Sequence, residues 1–225
     1  MRGTLVNVGA IISGTLIGMF ATTRMPDRIA ETTMNGIGLF TIFVGFSMAL
    51  ESQNMLIVLF SIVLGTIVGS LLDINGRLER TTEKLEARFA KEGSGVGQGF
   101  LAASLLFCVG PMAILGSIED GLTGTYRILM TKALMDGFTS IVFGATMGIG
   151  VALSVLPVLV YQGILTLAAS KVQGLMTDLA VLEMTATGGL LIVGIGFNML
   201  GIKKISVADM LPSIVFAVIF ARLFP

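Results

Sequence analysis

GPMAILGSIEDGLTGTYRILMTKALMDG, which runs from Gly110 to Gly137, holds the break around which this chain is arranged. It follows an apolar run, Val96 to Cys108, that begins as a membrane-spanning helix would. Pro111 disturbs that helix because proline has no amide proton and crowds the carbonyl group four residues earlier. Broken helix at membrane depth is tolerated only where it is buried in protein or lines a watery cavity. The stretch therefore predicts a central pair of helices with a functional break.

Polar side chains are concentrated in this same stretch. Ser117, Glu119 and Asp120 stand among glycines and are predicted to lie in a loop just past a helix end. Lys132 and Asp136 follow one helical turn apart, so they share one face of the next helix. Charged residues inside membrane segments cost free energy to bury, and they mark ion or solute paths. We therefore treat all five as candidates for contact with a transported ion or solute.

The composition is that of a polytopic membrane protein. The 225 residues are 54% hydrophobic and only 12% charged, and the mean hydropathy is +0.95. Soluble domains have about twice that charged fraction, roughly 25%. Fourteen basic residues balance fourteen acidic ones, so net charge indicates no partner. With no histidine and one cysteine, Cys108, the chain cannot form an internal disulfide, and we predict neither a metal site nor a cofactor.

We predict an all-α membrane helix bundle with about eight transmembrane helices. The run from Ile128 to Ser170 would be roughly 60 Å long as one helix, about twice the hydrocarbon thickness. It must therefore contain two helices, with a turn between Gly148 and Pro157. The other six apolar segments are Thr4–Phe20, Asn35–Leu50, Met55–Leu72, Val96–Leu115, Thr185–Leu200 and Val207–Leu223. The first could also be read as a signal peptide, although its glycines favour a packed helix.

Arg77 to Glu92, RLERTTEKLEARFAKE, is the strongly polar segment. Leu78, Leu85 and Phe89 recur at helical spacing, which predicts an amphipathic surface helix. It can be a solvated connector or a partner-binding helix.

Basic loop residues predict the orientation in the membrane. Nine fall on one side: Arg24, Arg28, Arg77, Arg80, Lys84, Arg88, Lys91, Lys203 and Lys204. Four fall on the other: Arg2, Arg127, Lys171 and Arg222. The richer side is expected to be cytoplasmic, which places both termini outside.

Two parts of the chain look like copies of each other. GLFTIFVGFSM at 38–48 aligns with GLLIVGIGFNM at 189–199 at a constant offset of 151 residues. Each is followed by a short polar turn and another apolar helix. Three helices of the first copy and two inserted helices, an odd total of five, precede the second copy, so the second copy enters the membrane from the opposite side. Inverted repeats of this kind characterise transporters with a site at the bilayer midplane.

The repeat divides the chain into four parts. Residues 1–73 form the first three-helix repeat, and 74–95 form a cytoplasmic amphipathic connector. Residues 96–156 form the central helix pair with its GSIEDG loop, and 157–225 form the inverted second repeat.

Five ordered motifs resemble a bacterial family of uncharacterised membrane proteins, the YqgA-like family named domain of unknown function 554. They are GTLVNVGAIISGTLIG (3–18), GPMAILGSIEDGLTG (110–124), KALMDGFTS (132–140), PVLVYQG (157–163) and EMTATGGLLIVGIGFNML (183–200). At Thr125 and Tyr126 the chain departs from the family form, in which an acidic residue often follows LTG. The resemblance implies a bacterial membrane location and a topology, but no biochemical activity.

Amides and carboxylates elsewhere complete the set of candidate residues. Asn7, Gln162 and Asn198 lie inside apolar helices, where they either bond to neighbouring helices or line a solute path. We expect all three near the axis of the repeat. Glu183 is expected to begin the seventh helix, where a carboxylate suits the helix dipole. Glu119 and Asp120 have a structural alternative as helix caps, and Lys132 and Asp136 can simply neutralise each other.

The function that these patterns favour is transport of a small solute or ion across the bacterial cytoplasmic membrane, with protons or cations as candidate coupling ions. No nucleophile–base pair or phosphate-binding loop stands out, so we expect no enzyme. The alternative is a non-transporting scaffold or sensor that acts through the Arg77–Glu92 helix. The expected partners are the lipid bilayer and a small ion or solute, without nucleic acid; self-association is left open.

Overall fold

A computed structural model describes residues 1–22, 27–80, 96–174 and 176–224, and all regular structure within them is helical. The elements are α1 (Arg2–Thr22), α2 (Asp27–Ala49), α3 (Met55–Leu71), α4 (Ile74–Arg80), α5 (Val96–Cys108), α6 (Pro111–Thr123), α7 (Arg127–Met147), α8 (Ile149–Leu153), α9 (Val155–Leu167), α10 (Ala169–Val172), α11 (Asp178–Met199), a 3₁₀ helix (Val207–Met210) and α12 (Pro212–Leu223). The predicted all-helical membrane bundle is confirmed.

Within the described residues, five helices are each long and apolar enough to cross a membrane, with α8 and α9 counted as one. Two bent pairs raise the number to seven if each pair is one span: α3 with α4, and α5 with α6. The predicted eighth span, Val207–Leu223, is interrupted. Pro212 begins α12, which has 12 residues and so is only about 18 Å long, shorter than the hydrocarbon core.

Close contact at glycines holds α1 against α7. A Cβ added to Gly14 would overlap the carbonyl of Gly137, and one added to Gly18 would overlap that of Ile141. Because both residue numbers rise together, α1 and α7 run parallel. Small residues let the two helix backbones approach closely. The resulting van der Waals contacts hold the helices together in lipid, where the hydrophobic effect does not drive helix association.

The most buried helix, α11, packs antiparallel to α2. A Cβ on Gly45 would lie 2.7 Å from the carbonyl oxygen of Gly189, and one on Gly196 would lie 3.0 Å from that of Gly38. Gly65 similarly meets Ser213 where α3 packs against α12. A core of buried apolar side chains from α1, α5, α7, α8 and α11 joins these pairs: Ile11, Phe107, Phe143, Val151 and Leu191.

Several predicted boundaries fall elsewhere. The chain breaks at Gly148, which has φ +62°, so the predicted turn between the fifth and sixth helices is confirmed. The prediction of a loop at GSIEDG is wrong, because α6 continues to Thr123 and ends at Gly124, which has φ +70°. α11 begins at Asp178, seven residues before the predicted Thr185, because the Thr177 side chain accepts a hydrogen bond from the Ala180 N–H and caps the helix.

Only the beginning of the polar connector is described. α4 is bent by 54° from α3. The predicted amphipathic helix from Arg77 to Glu92 extends beyond it into residues 81–95, which lie outside the described residues, as does the link at 23–26.

Candidate functional site

The helix break lies at Gly110, between α5 and α6, where the chain bends by 58°. Gly110 has φ +146°, a backbone conformation that L side chains rarely adopt. Pro111 follows as the first residue of α6, a position where its missing N–H does no harm. The carbonyl end of α5 and the amide end of α6 therefore meet here, and the terminal groups of a helix have no partner within it.

A cavity of about 250 Å³ opens beside this break. Lys132 and Asp136 supply its charged groups. Thr139, three residues after Asp136 on α7, also lines it. The remaining lining comes from the two sides of the break, from α2 and from α7: Phe40, Val44, Met48, Leu106, Val109, Gly110, Met112, Ala113 and Met135. Asp136 is nine residues from Arg127, where the 21-residue α7 begins, so the charges lie near the middle of that helix.

Asp136 is held entirely by side chains. Its Oδ2 atom accepts from Lys132 Nζ at 2.5 Å and from Asn7 Nδ2 at 2.9 Å. Lys132 and Asp136 are each 6% exposed and Asn7 is fully buried. The ring of Phe107 lies 5.8 Å from Lys132 Nζ, a distance at which an aromatic face attracts a cation. Sequence reasoning singled out all three polar residues but did not predict that Asn7 bonds to this pair.

The Lys132–Asp136–Asn7 cluster has no net charge, and its hydrogen bonds can be exchanged for others. Burying either charge alone would be strongly unfavourable, whereas the pair partly compensates for lost solvation. Both donors to the carboxylate are flexible side chains, so either can be exchanged for a ligand group without unwinding a helix. Such an arrangement can bind and release a small charged or polar species at the cavity.

Glu119 and Asp120 have different surroundings, because both bond to the first turns of other helices. Asp120 Oδ2 accepts from the Met1 amino group at 2.8 Å and from the Gly3 N–H at 3.1 Å, at the start of α1. Glu119 Oε2 accepts from the Ile128 N–H at 3.3 Å, at the start of α7. Carboxylates at helix N-termini stabilise them through the helix dipole. These two residues lie at one end of the bundle, away from the Asp136 cavity.

The other predicted candidates are dispersed. Ser117 is buried and donates to the Ala113 carbonyl of its own helix at 2.6 Å. Asn198 does not join Asn7 or Gln162: its amide donates to the Ile205 carbonyl at 2.8 Å and accepts from the Ile205 N–H at 2.7 Å, closing the turn after α11. Gln162 is fully buried on α9, and both of its amide atoms are without a partner within the described residues.

Glu183 has a role that the sequence did not reveal. It lies in the second turn of α11, fully buried, and does not act as a cap for its own helix as predicted. Its Oε2 accepts from Ser52 Oγ at 2.7 Å, and its Oε1 accepts from the N–H groups of Gln53 and Asn54 at 2.7 and 2.8 Å. It therefore fixes the turn that precedes α3. If the helix start had been predicted at the cap formed by Thr177 before Asp178, Glu183 would have been placed inside the helix and not at its beginning.

Across the described ranges, no three residues of the His, Cys, Asp and Glu types are grouped so that they could hold a metal ion. Cys108 is a free thiol, half-buried at the end of α5.

Comparison with known proteins now adds to this geometry. Residues 2–222 match the model of a family described as "Protein of unknown function (DUF554)". The chain belongs to this family. DUF554 is the family that the five sequence motifs resemble.

Two relatives align with the chain over almost their whole length. The uncharacterized membrane protein YdfK of Bacillus subtilis (strain 168) is 32% identical over 218 residues, which cover 95% of this chain and 93% of YdfK. The uncharacterized protein YqgA of Escherichia coli (strain K12) is 27% identical over 220 residues, which cover 96% of this chain and 94% of YqgA. No solved structure matches at a comparable level.

DUF554 membership and the long apolar helices together establish an integral membrane protein. Neither the family description nor the relatives' names specify an activity. The chemistry of the Asp136 cavity is therefore the basis for any functional assignment.

Proposed function

We propose that this protein is a transporter of a small ion or solute in the bacterial cytoplasmic membrane, and not an enzyme. The observation that carries the proposal is the cavity at the Gly110 break, with a buried Lys132–Asp136 pair on its wall. Charged pairs next to a broken helix are typical of substrate sites in transporters, where half-helix ends also face the ligand. Asn7 is part of this site because it bonds to Asp136. The roles of Ser117, Glu119, Asp120, Gln162 and Asn198 stay predictions.

Glycine contacts between α2 and α11 support an inverted repeat. The offset of 151 residues converts Gly45 into Gly196 and Gly38 into Gly189. It therefore converts the contact of Gly45 with Gly189 into the contact of Gly196 with Gly38, and both contacts are present. Reciprocal contacts between antiparallel helices are what a two-fold axis in the membrane plane produces.

The directions of packed helices also agree with the proposed topology. With the amino terminus outside, α1 and α7 both enter the membrane from the outside, as their parallel packing requires. α2 and α11 run in opposite directions, as their contacts require. The excess of Lys and Arg then assigns the Lys203–Lys204 turn to the cytoplasm.

Flux measurements with purified protein in liposomes test the transport function. Vesicles carry fluorescent dyes for protons, Na⁺ or K⁺, and a gradient of one ion is imposed at a time. We expect wild-type protein to move at least one of these ions faster than protein-free vesicles do. Asp136→Asn should abolish that flux, because the substituted residue lacks the charge that a cation or proton needs.

Asp178→Asn is the matched control, since Asp178 is an exposed carboxylate at the start of α11, far along the chain from the cavity. It should retain the wild-type flux. A flux that survives Asp136→Asn unchanged would contradict the site, and the absence of any Asp136-dependent flux would contradict transport of these three ions.

Cysteine labelling in cells tests the orientation. After Cys108 is replaced by alanine, cysteines are introduced at Glu51, Gln173, Lys84 and Lys203. Glu51 is preferred to its neighbour Ser52, whose hydroxyl bonds to Glu183. Positions 51 and 173 should react with a membrane-impermeant reagent, and positions 84 and 203 only after permeabilisation. Labelling of 51 and 203 from the same side would contradict the topology and the inverted repeat with it.

A further inference from the structure

The neighbouring helices α1 and α9 carry a group of buried polar atoms without hydrogen-bond partners in the described residues. They are Thr4 Oγ1, Asn7 Oδ1, Thr166 Oγ1 and both amide atoms of Gln162. Thr4, Asn7 and Gln162 are fully buried, and Thr166 is 6% exposed. Buried polar groups in native proteins almost always have a partner, either in the protein or in ordered water. Five unpartnered atoms on two neighbouring helices therefore need an explanation.

The atoms on α1 form one side of a row with a charged group at each end. Thr4 and Asn7 are three residues apart and share one face of the helix. Next to Thr4, the Gly3 N–H donates to Asp120 at the end of the bundle. At the other end of the row, Asn7 Nδ2 donates to Asp136, which lines the cavity. The row therefore leads from the Asp120 end of the molecule to the candidate transport site.

α9 supplies the other unpartnered atoms from beside the beginning of α1. Gln162 and Thr166 are four residues apart and so also share a face. A Cβ on Gly163, next to Gln162, would lie 3.6 Å from Met1 Cε, so this part of α9 lies beside the beginning of α1. A Cβ on Gly121, next to Asp120, would overlap the carbonyl of Thr166. Both sides of the row thus begin at Asp120.

The spacing of these atoms suits water. Thr4 and Asn7 are separated by about 4.5 Å of helix rise, and Gln162 and Thr166 by about 6 Å. Two successive hydrogen bonds through one water molecule span about 5.5 Å. A buried water needs two to four polar partners, and the carboxamides and hydroxyls on the two helices supply them.

We propose that Thr166, Gln162, Thr4 and Asn7 hold a file of water molecules that carries protons between Asp136 and the Asp120 end of the bundle. This inference rests on the proposed transport function and identifies the proton as its coupling ion. Each water accepts one proton and passes another to its neighbour, so one proton enters the file as another leaves and nothing is oxidised or reduced. The charged groups that face the file are Asp120 and the Met1 amino group at one end, and Lys132 and Asp136 at the other.

Proton flux in liposomes tests the file. Vesicles containing the dye pyranine and the full chain are given a transmembrane pH gradient, with valinomycin and K⁺ to dissipate any potential. Gln162→Leu keeps the volume roughly constant but removes two polar atoms. We expect it to slow the protein-dependent flux by about tenfold or more, the effect of losing one hydrogen bond from the path. Thr166→Val, a smaller change, should slow it less.

Gln98→Leu is the matched control, because Gln98 is a half-buried glutamine on α5 that lines a different cavity. It should leave the proton flux at the wild-type rate. Size-exclusion chromatography in detergent identifies any variant that has not folded, and Thr4→Val then replaces Gln162→Leu in the comparison.

The outcomes separate the file from the transport function. An Asp136-dependent proton flux that Gln162→Leu, Thr166→Val and Thr4→Val all leave unchanged overturns the file alone. An Asp136-dependent flux of Na⁺ or K⁺ without proton movement also overturns it and leaves the transport function standing. If no flux depends on Asp136, both inferences are wrong.

Discussion

Asp120 and Asp136 come from the same stretch of sequence and are almost equally buried, but they are held in opposite ways. The donors to Asp120 are the backbone N–H of Gly3 and the amino group of Met1 at the start of α1. The donors to Asp136 are the side chains of Lys132 and Asn7. One carboxylate joins the end of a helix to its neighbour, whereas the other belongs to a cluster in the middle of the helices.

This difference separates structural from functional carboxylates in a membrane protein. A backbone donor cannot leave its acceptor unless the helix end moves, so Asp120 and Glu183 are suited to fixing helix positions. A side-chain donor can leave by rotation about its own bonds, so Asp136 is suited to exchanging partners during a transport cycle. Substitutions at these carboxylates and at Lys132 test the distinction.

Removing the partner of Asp136 should be the most damaging change. Lys132→Met leaves the buried carboxylate with Asn7 as its remaining donor, and breaking a buried pair costs about 3–5 kcal/mol. We expect a loss of that size in unfolding free energy, measured by SDS titration in mixed micelles. The double variant Lys132→Met/Asp136→Asn removes both charges and should recover most of the stability.

The double variant also distinguishes stability from function. It should fold but show no flux, because the charge is gone. If the single and double variants are equally unstable, the charge pair contributes little and the effect comes from lost packing of the lysine chain against Phe107.

Glu183 should rank second. Glu183→Ala deprives the N–H groups of Gln53 and Asn54, and the hydroxyl of Ser52, of their acceptor. An unsatisfied buried group costs about 1–3 kcal/mol, and solvent can reach this turn, so we expect about 2 kcal/mol in total. The same SDS titration measures it. Glu183→Gln keeps one acceptor oxygen and should lose less; an equal loss in both would indicate that the negative charge matters more than the hydrogen bonds.

The sequence predicted the elements of this fold better than it predicted the partners of the polar residues. Pro111 and the length of the run from Ile128 to Ser170 indicated both interior breaks. The steric clash of a proline and the greatest length of a helix within a bilayer can both be read from the local sequence. GSIEDG was wrongly predicted as a loop because glycines favour turns, yet Gly116 and Gly121 are needed for helix packing against Leu129 and Thr166. At these two glycines, tertiary packing overrides the local preference of glycine for turns.

Some partners of the carboxylates lie more than a hundred positions away along the chain, and no local pattern encodes those contacts. Asp136 meets Asn7, and Glu183 meets Ser52. The sequence indicated that charges in apolar helices need partners, but only the packing of α1 on α7 and of α11 beside the turn before α3 determines which partners they find.

Asp120→Asn should have a modest effect. Asparagine retains an oxygen that can accept from the Gly3 N–H, but the charge that favours the positive end of α1 is lost. Helix-dipole interactions are typically worth about 0.3–1 kcal/mol, and up to about 2 kcal/mol when partly buried, so we expect a loss of about 1 kcal/mol. Flux should remain close to the wild-type value, since the proposed file is formed by Thr166, Gln162, Thr4 and Asn7 and not by this carboxylate. A fully inactive but stable Asp120→Asn protein would show that the carboxylate itself relays protons at the end of the file and is not only a cap.

The smallest effect is expected for Glu119→Gln, and it bears directly on the sequence-based prediction that Glu119 lies on the ion path. Glu119 is half-buried, and its hydrogen bond to the Ile128 N–H is long, at 3.3 Å. Glutamine keeps an acceptor in the same place, and substitutions near the surface usually change stability by no more than about 0.5 kcal/mol. We therefore expect wild-type stability in the SDS titration and wild-type flux in liposomes. If flux disappears while stability is unchanged, the charge of Glu119 takes part in transport, and the contrast between helix-end and mid-helix carboxylates does not hold for this residue.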